Sequence, residues 1–135
     1  MRSIAREAYQ RYVPRIGREP APMSADYGEA VHDGQAWVAV GQGQVIGFAV
    51  LVAQSDHLLL QNLAVRPSWQ GGGAGSRLLD LAEDEGRRLG LAEVRLYTNE
   101  AMTENLAYYP RRGYTETHRE VQDGFRRVFF RKLIA

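Results

Sequence analysis

The sequence predicts a mixed α+β fold: an antiparallel meander, one parallel strand pair made across a helix, and a C-terminal β-hairpin, with helices on the flanks. Three observations predict it. Apolar runs at 35–40, 45–53 and 57–65 follow one another across short turns at Gly41-Gln42-Gly43-Gln44 and Ser55-Asp56, so they are antiparallel neighbours. The glycine-rich stretch Gln70-Gly71-Gly72-Gly73-Ala74-Gly75 joins the third run to a helical segment and then to a strand at 93–97, and strand–helix–strand is a parallel connection. Asp123-Gly124 separates two further strand-like runs, 114–121 and 125–133, and this dipeptide is a strong hairpin signal.

Taken in order, residues 3–13 carry Ile4, Ala8, Tyr9 and Tyr12 at helical spacing, and Pro14 is expected to end that helix. The segment 13–23 holds three prolines, which restrict its backbone. It is either a solvent loop or a lid over a substrate pocket, with Tyr12, Arg15, Arg18 and Tyr27 as wall residues. Ser24 reads as the N-cap of a helix at 25–32 that Asp33-Gly34 ends. The strand at 35–40 carries Trp37, Val38 and Val40, and the strand at 45–53 is more apolar. The helix at 75–89 places Leu78, Ala82 and Leu89 on one face, with Gly86 inside it at a cost of about 1 kcal/mol relative to Ala. Val94 and Leu96 alternate with charge in the next strand, and Thr98-Asn99 reads as a turn. Met102, Leu106 and Tyr109 define a second helical stripe, capped by Thr103, disturbed near its end by Pro110 and closed by Gly113.

A chain of 135 residues suits one domain with one sizeable core, spanning 1–135. Seventeen basic against sixteen acidic side chains give a formal charge of +1, which offers no electrostatic footprint for nucleic acid or a membrane surface. Arg111-Arg112 and Arg126-Arg127 therefore read as solvated faces. The absence of cysteine excludes disulfides, thiolate nucleophiles and Cys-based metal sites. His32, His57 and His118 lack metal-ligand spacing, so no metal is expected, and no Gly-x-Ser-x-Gly supports a serine hydrolase. The longest apolar run, 45–53, is too short to cross a bilayer, and Met1-Arg2-Ser3 leads into no apolar leader, so a cytoplasmic location is expected.

The glycine-rich turn suits phosphate binding, because glycine admits close backbone approach and the first amides of a helix lack partners within it. It is not a Walker A loop, since Ser76-Arg77 follows Gly75 where Lys-Ser/Thr is required. Nor is it a dinucleotide fingerprint, because Ser76 stands where the third glycine belongs. Gln70, Gly73 and Gly75 do meet Gln-x-x-Gly-x-Gly, behind Leu63-Ala64-Val65-Arg66-Pro67. This resembles the acyl-CoA motif of the GNAT superfamily of N-acyltransferases. The resemblance implies that acetyl-CoA is the cosubstrate. Its pyrophosphate would lie on Gln70, Gly71, Gly72, Gly73, Ala74, Gly75 and Ser76, and its pantetheine arm along Leu63, Ala64 and Val65. Arg77 can meet a CoA phosphate.

The resemblance extends to Asn105-Leu106-Ala107-Tyr108-Tyr109-Pro110-Arg111-Arg112-Gly113-Tyr114, where Tyr109 stands four residues before a Gly-aromatic pair. In the family that tyrosine protonates the leaving thiolate, and Asn105 and Tyr108 would line the cofactor side. Pro110 departs from the pattern and is expected to disfavour helical geometry at Tyr109, which makes Tyr108 the alternative acid. Asn62 occupies a slot where the family often has a carboxylate, and an amide can position a water but cannot take a proton. His57, Glu29, Asp26 and a chain of waters all remain open as the base. The implied reaction is direct, sequential acetyl transfer to a primary amine, since without cysteine no acyl-cysteine can form. The neutral charge balance and the proline-braced segment point to a small-molecule amine, with Arg15 and Arg18 able to hold an acceptor carboxylate. The alternatives are a non-catalytic acyl-CoA binding module, an acetyltransferase acting on a protein amine, and an interaction domain that uses a sheet edge. The family fold begins with a strand, whereas this chain begins with helical residues. The first edge strand is therefore expected to be missing, leaving the strand with Trp37, Val38 and Val40 as the sheet edge. Either a second chain covers that edge, as in a homodimer, or the sequence begins downstream of its natural start.

Overall fold

A computed structural model describes residues 1–23 and 25–134. Helix α1 (Arg2–Tyr9) leads through a 3₁₀ turn, Gln10–Tyr12, into the short α2 (Val13–Ile16). Another 3₁₀ turn, Ala21–Met23, precedes α3 (Tyr27–His32). Then come β1 (Ala36–Gly41), β2 (Gln44–Ala53) and β3 (Leu58–Val65), followed by the 3₁₀ turn Pro67–Trp69 and α4 (Ala74–Arg88). The chain ends with β4 (Glu93–Asn99), α5 (Thr103–Arg111), β5 (Thr115–Gln122) and β6 (Phe125–Leu133). The six strands form one sheet in the order β1-β2-β3-β4-β6-β5. Only β3 and β4 are parallel. The mixed architecture, the meander and the C-terminal hairpin all agree with the sequence reading. Both tight hairpins have two successive residues at positive φ, Gln42-Gly43 and Asp123-Gly124, the backbone that matches strand twist.

The two faces of the sheet follow from strand alternation. On β2, Phe48 and Val50 pack with Ile4, Ala5 and Ala8 of α1 and Tyr27 and Ala30 of α3. Ala49 and Leu51 point the other way, into a larger cluster with Leu78, Leu79 and Ala82 of α4. The sheet thus lies between α1 and α3 on one side and α4 on the other, which matches the helical stripes at Ile4/Ala8 and Leu78/Ala82. Leu89, expected on the α4 stripe, is instead the residue that ends the helix, and it is exposed.

Several local expectations are corrected. The first helix breaks after Tyr9, and Pro14 does not stop it: Pro14 is the second residue of α2, where a missing N–H has no intrahelical acceptor to lose. Gly17, at φ 87°, ends that helix. The expected cap Ser24 lies outside the described residues, and Asp26 caps α3 by accepting from the Glu29 amide at 3.1 Å. Thr98 and Asn99 are not a turn: they extend β4 and pair with Val128 and Arg127. Thr103 is the first residue of α5, with Met102 at the cap and no side-chain capping bond. Pro110 lies within α5, which continues to Arg111, because the Arg112 amide still donates to the Tyr108 and Tyr109 carbonyls.

The feature that makes room for a site is a divergence of strands. Parallel pairing of β3 with β4 covers only Leu58–Leu60 against Val94–Leu96. Beyond that point β3 stays with β2 and β4 stays with β6. Gln61 has no partner in the β2 register, a bulge at the point where the strands part. On the other side of the sheet β1 is the edge, and among the described residues no strand precedes it, as expected.

Candidate active site

The glycine-rich turn is shaped by two left-handed residues, Gly71 at φ 85° and Gly73 at φ 90°. The 3₁₀ turn before it absorbs the amides of Gln70 and Gly72, which donate to Pro67 and Trp69. The amides of Gly71, Gly73, Ala74, Gly75 and Ser76 have no acceptor among the described residues. The last three are the opening amides of α4, so partial positive charge gathers here. One N–H of the Gln70 side-chain amide is engaged within the protein. Its Nε2 donates to the Val65 carbonyl at 3.1 Å and ties the turn back to β3.

From this turn a groove of about 430 Å³ runs along the open side of β3. It passes Gln70, Gly71, Gly73, Gly75 and Ser76, then Leu63, Ala64 and Val65, and ends at Asn105, Tyr108 and Tyr109 of α5. Gly72 and Ala74 do not line it. Backbone alternation explains what β3 offers. The Arg66 amide donates to Ile46, so the pairs with β2 alternate such that Leu63 and Val65 turn their N–H and C=O away from β2. Their carbonyls are already taken, Leu63 by the Tyr9 hydroxyl at 2.7 Å and Val65 by Gln70. Their N–H groups remain as donors toward the groove.

A second, smaller cavity of about 70 Å³ fills the gap where β3 and β4 part. Asn62, Tyr97 and Asn99 line it from the strands, Arg127 from β6, and Pro20 to Pro22 close it. The two cavities share Tyr9, Leu63, Asn105 and Tyr109. Tyr109 therefore stands at the junction. Its ring is held by Tyr108, Tyr114 and Phe130 at centroid distances of 5.4, 5.9 and 5.8 Å. Its hydroxyl has no hydrogen-bond partner among the described residues, and burial pushes its pKa above the ordinary tyrosine value. The Tyr108 hydroxyl lies 3.3 Å from Ser76 Oγ, at the start of α4 rather than at the junction. Asn105 is oriented by donating to Thr98 Oγ1 at 3.1 Å.

Other candidates lie elsewhere. Tyr12 lines the groove, donating to Glu104 Oε2 at 3.1 Å and accepting from Arg11 at 2.7 Å. Arg15 lines neither cavity and is bound to both carboxylate oxygens of Glu104 at 3.0 Å. Arg18 donates to the Asp123 carbonyl and covers the Phe125 ring at 3.6 Å. Neither arginine is brought to an acceptor position, because each is spent tying the N-terminal segment to α5 or to the β5–β6 turn. Tyr27 donates to the Pro22 carbonyl and packs its edge on Phe48, inside the core. Asp26 caps α3, and Glu29 lines neither cavity. His57 pairs with Asp56 at 2.7 Å, before the start of β3 and away from the gap. Arg77 is exposed on the first turn of α4.

Several lining residues are not singled out by the sequence, Tyr9, Tyr97 and Arg127 among them. Tyr9 was accounted for by its helical stripe, which says nothing of its hydroxyl. Tyr97 lies in the strand expected at 93–97, but nothing in the pattern shows that the neighbouring strand departs there. Arg127 was grouped with Arg126 as solvated. Strand alternation was the available signal: consecutive residues face opposite ways, and Arg126 is exposed while Arg127 is half-buried.

No curated protein matches the chain in sequence. Among solved structures it is similar to the PaiA N-acetyltransferase from Thermoplasma acidophilum in complex with coenzyme A, at 21% identity and a TM-score of 0.81, covering 98% of this chain and 89% of that one. It is similar to the ribosomal-protein-S18-alanine N-acetyltransferase from Escherichia coli at 20% identity and 0.76, covering 98% and 84%. A nourseothricin acetyltransferase matches at 23% identity and 0.70, covering 76% and 68%. These likenesses establish the shared fold. The family model for the acetyltransferase (GNAT) family matches residues 1–114, most of the chain, and the chain belongs to that family.

Proposed function

We propose that this acetyltransferase moves an acetyl group from acetyl-CoA directly to the primary amine of a small molecule, working as one domain. The observation that carries the reading is the unpartnered phenol of Tyr109 at the junction of a long groove and a small cavity. The groove suits the cofactor. Free amides at Gly71 and Gly73–Ser76 suit the pyrophosphate, and the outward N–H of Val65 suits a pantetheine carbonyl, leaving that of Leu63 for the thioester end. The thioester then lies near Tyr109, and the amine comes from the small cavity.

The chemistry follows from those positions. The neutral amine attacks the thioester carbonyl and its C–N bond forms. The resulting oxyanion needs a donor, which an outward β3 amide supplies. The C–S bond then breaks, and the thiolate takes the Tyr109 proton. Burial keeps that proton on the phenol until the thiolate appears. Neither carboxylate nor imidazole lines the small cavity among the described residues. The amine proton therefore leaves to water, with Asn62 positioning it. The small volume under Pro20–Pro22 favours a compact acceptor over a protein segment.

A binding-only module is the competing reading, and the missing base is the observation that favours it. Thiol release from acetyl-CoA, measured across a panel of small amines and N-terminal peptides beside calorimetry of acetyl-CoA binding, decides. Turnover with small amines supports the proposal. Acetyl-CoA binding without thiol release for any amine rejects it in favour of the module. Turnover confined to peptides rejects the small-molecule acceptor.

A further inference from the structure

We infer that Arg127 recognises an anionic group on the acceptor, so that the preferred substrate is a small amine carrying a carboxylate. The inference rests on the acetyltransferase reading above and names the substrate class for the same site. The lining of the acceptor cavity is chemically one-sided. It contains the carboxamides of Gln61, Asn62, Asn99 and Asn105, the guanidinium of Arg127, and no acidic side chain among the described residues. A site built for a plain cationic amine or a polyamine would set carboxylates against the positive charge. This one presents a cation instead, which repels an ammonium and attracts an anion.

Arg127 is held in place without being neutralised. Its guanidinium lies over the Tyr97 ring at 4.5 Å and near Phe125 at 5.6 Å, and Nη1 donates to Gln122 Oε1 at 2.9 Å. These are neutral partners. Glu120 stands opposite Arg127 in the β5–β6 register, yet no ion pair joins them within 4.0 Å. Glu120 instead accepts from Gln122 and approaches His118 at 3.9 Å. The adjacent Arg126 does form an ion pair, with Glu100 at 3.3 Å. A half-buried guanidinium fixed by aromatic and amide contacts, with donors left over, is suited to bidentate capture of a carboxylate. The register supplies the position. Arg127 pairs with Asn99 on β4, so its side chain enters where β3 has left β4. The β5–β6 hairpin that carries Arg127 lies beyond the family-matched segment 1–114.

The test compares α-amino acids with their α-carboxamides, with each kcat/KM expressed per neutral amine, because amidation removes the negative charge and also lowers the amine pKa. Thiol release from acetyl-CoA is measured for both series in wild type, Arg127→Gln and Arg127→Lys, with acetyl-CoA calorimetry on each to verify a folded cofactor site. The wild type is expected to favour acids over amides in kcat/KM by about tenfold or more, the scale of one charge-assisted contact. Arg127→Gln should lower that preference at least tenfold, chiefly through KM, and Arg127→Lys should retain part of it. Equal use of acids and amides by the wild type, or an equal loss on both in Arg127→Gln, overturns the assignment while leaving the transferase reading intact. No thiol release from either series, with turnover of another small amine, overturns the assignment alone; acetyl-CoA binding with no thiol release from any amine overturns both.

Discussion

Tyr109 and Tyr108 are neighbours with the same functional group, and their surroundings separate the roles proposed for them. Tyr109 is buried at the meeting of the two cavities with its hydroxyl unpartnered, whereas the Tyr108 hydroxyl is engaged with Ser76. Tyr109→Phe should lower kcat roughly 10²-fold, the usual scale for a lost general acid. Acetyl-CoA affinity in that variant should hold. Tyr108→Phe should weaken acetyl-CoA binding and leave the acid step intact. Large loss of kcat in the second variant and none in the first would exchange the two assignments. The pH profile offers an independent check. Without a base in the acceptor cavity, kcat/KM should rise with pH along the deprotonation of the acceptor amine itself. Because burial raises the Tyr109 pKa, the rate should not fall near the ordinary phenol value of about 10. A decline there would show that the phenol ionises as if exposed. At this scale spacing singles out Tyr109 before Gly113-Tyr114, and that residue stands at the junction of the two cavities, while its role as acid is the proposal above. The sequence was silent where function depends on which strand lies beside which. Tyr9 reaches Leu63 across 54 residues, and Arg127 reaches the gap only through pairing with Asn99.

At the scale of elements, the glycine-rich turn was legible because glycine composition and the neighbouring apolar runs both report local geometry. Gly73 shows why the residue type matters. Its φ of 90° is a conformation that side chains rarely adopt, and it precedes the free amides that open α4. Gly73→Glu adds backbone strain on the order of 1–3 kcal/mol and sets a negative charge beside an anion site. Acetyl-CoA affinity should drop beyond detection by calorimetry, while far-UV circular dichroism stays native. Unchanged affinity would move the pyrophosphate away from this turn. The prolines were harder to read, because their effect depends on position within a helix. Pro14 at the second residue of α2 and Pro110 in the last turn of α5 are tolerated, for in each place few intrahelical bonds are at stake. Gly86 likewise has a reason that composition hides. A Cβ there would come within 2.6 Å of Ile134 Cδ1, so the glycine lets Ile134 pack against α4. Its propensity cost is set against that contact.

For the molecule as a whole, the meander, the parallel pair and the C-terminal hairpin were readable from turns and periodicity, whereas the order that sets β6 beside β4 was not. At one edge of that sheet lies β1. Its outer row of N–H and C=O groups faces no strand, and Trp37, Val38 and Val40, with Val45 of β2, are exposed large apolar residues around it. No charged side chain interrupts Ala36–Gly41, so the usual protection of an edge by Lys or Pro is absent. The strand is also suited to its own copy. Two antiparallel β1 strands about a twofold axis would bring each apolar side chain against the same surface of the partner and complete the hydrogen-bond row. We propose that a chain of these 135 residues dimerises through β1 with a continuous sheet across it, the alternative being a preceding segment that covers the same edge. Val38→Lys should convert the dimer to a monomer, since like charges would face each other near the axis. Sedimentation velocity over a concentration series measures this directly. The cofactor groove opens on the far side of β3, with β2 between it and β1, so acetyl-CoA affinity should be the same in both states. A wild-type chain that stays monomeric at the highest concentration reached, or a Val38→Lys dimer of unchanged strength, would show that β1 is not the contact.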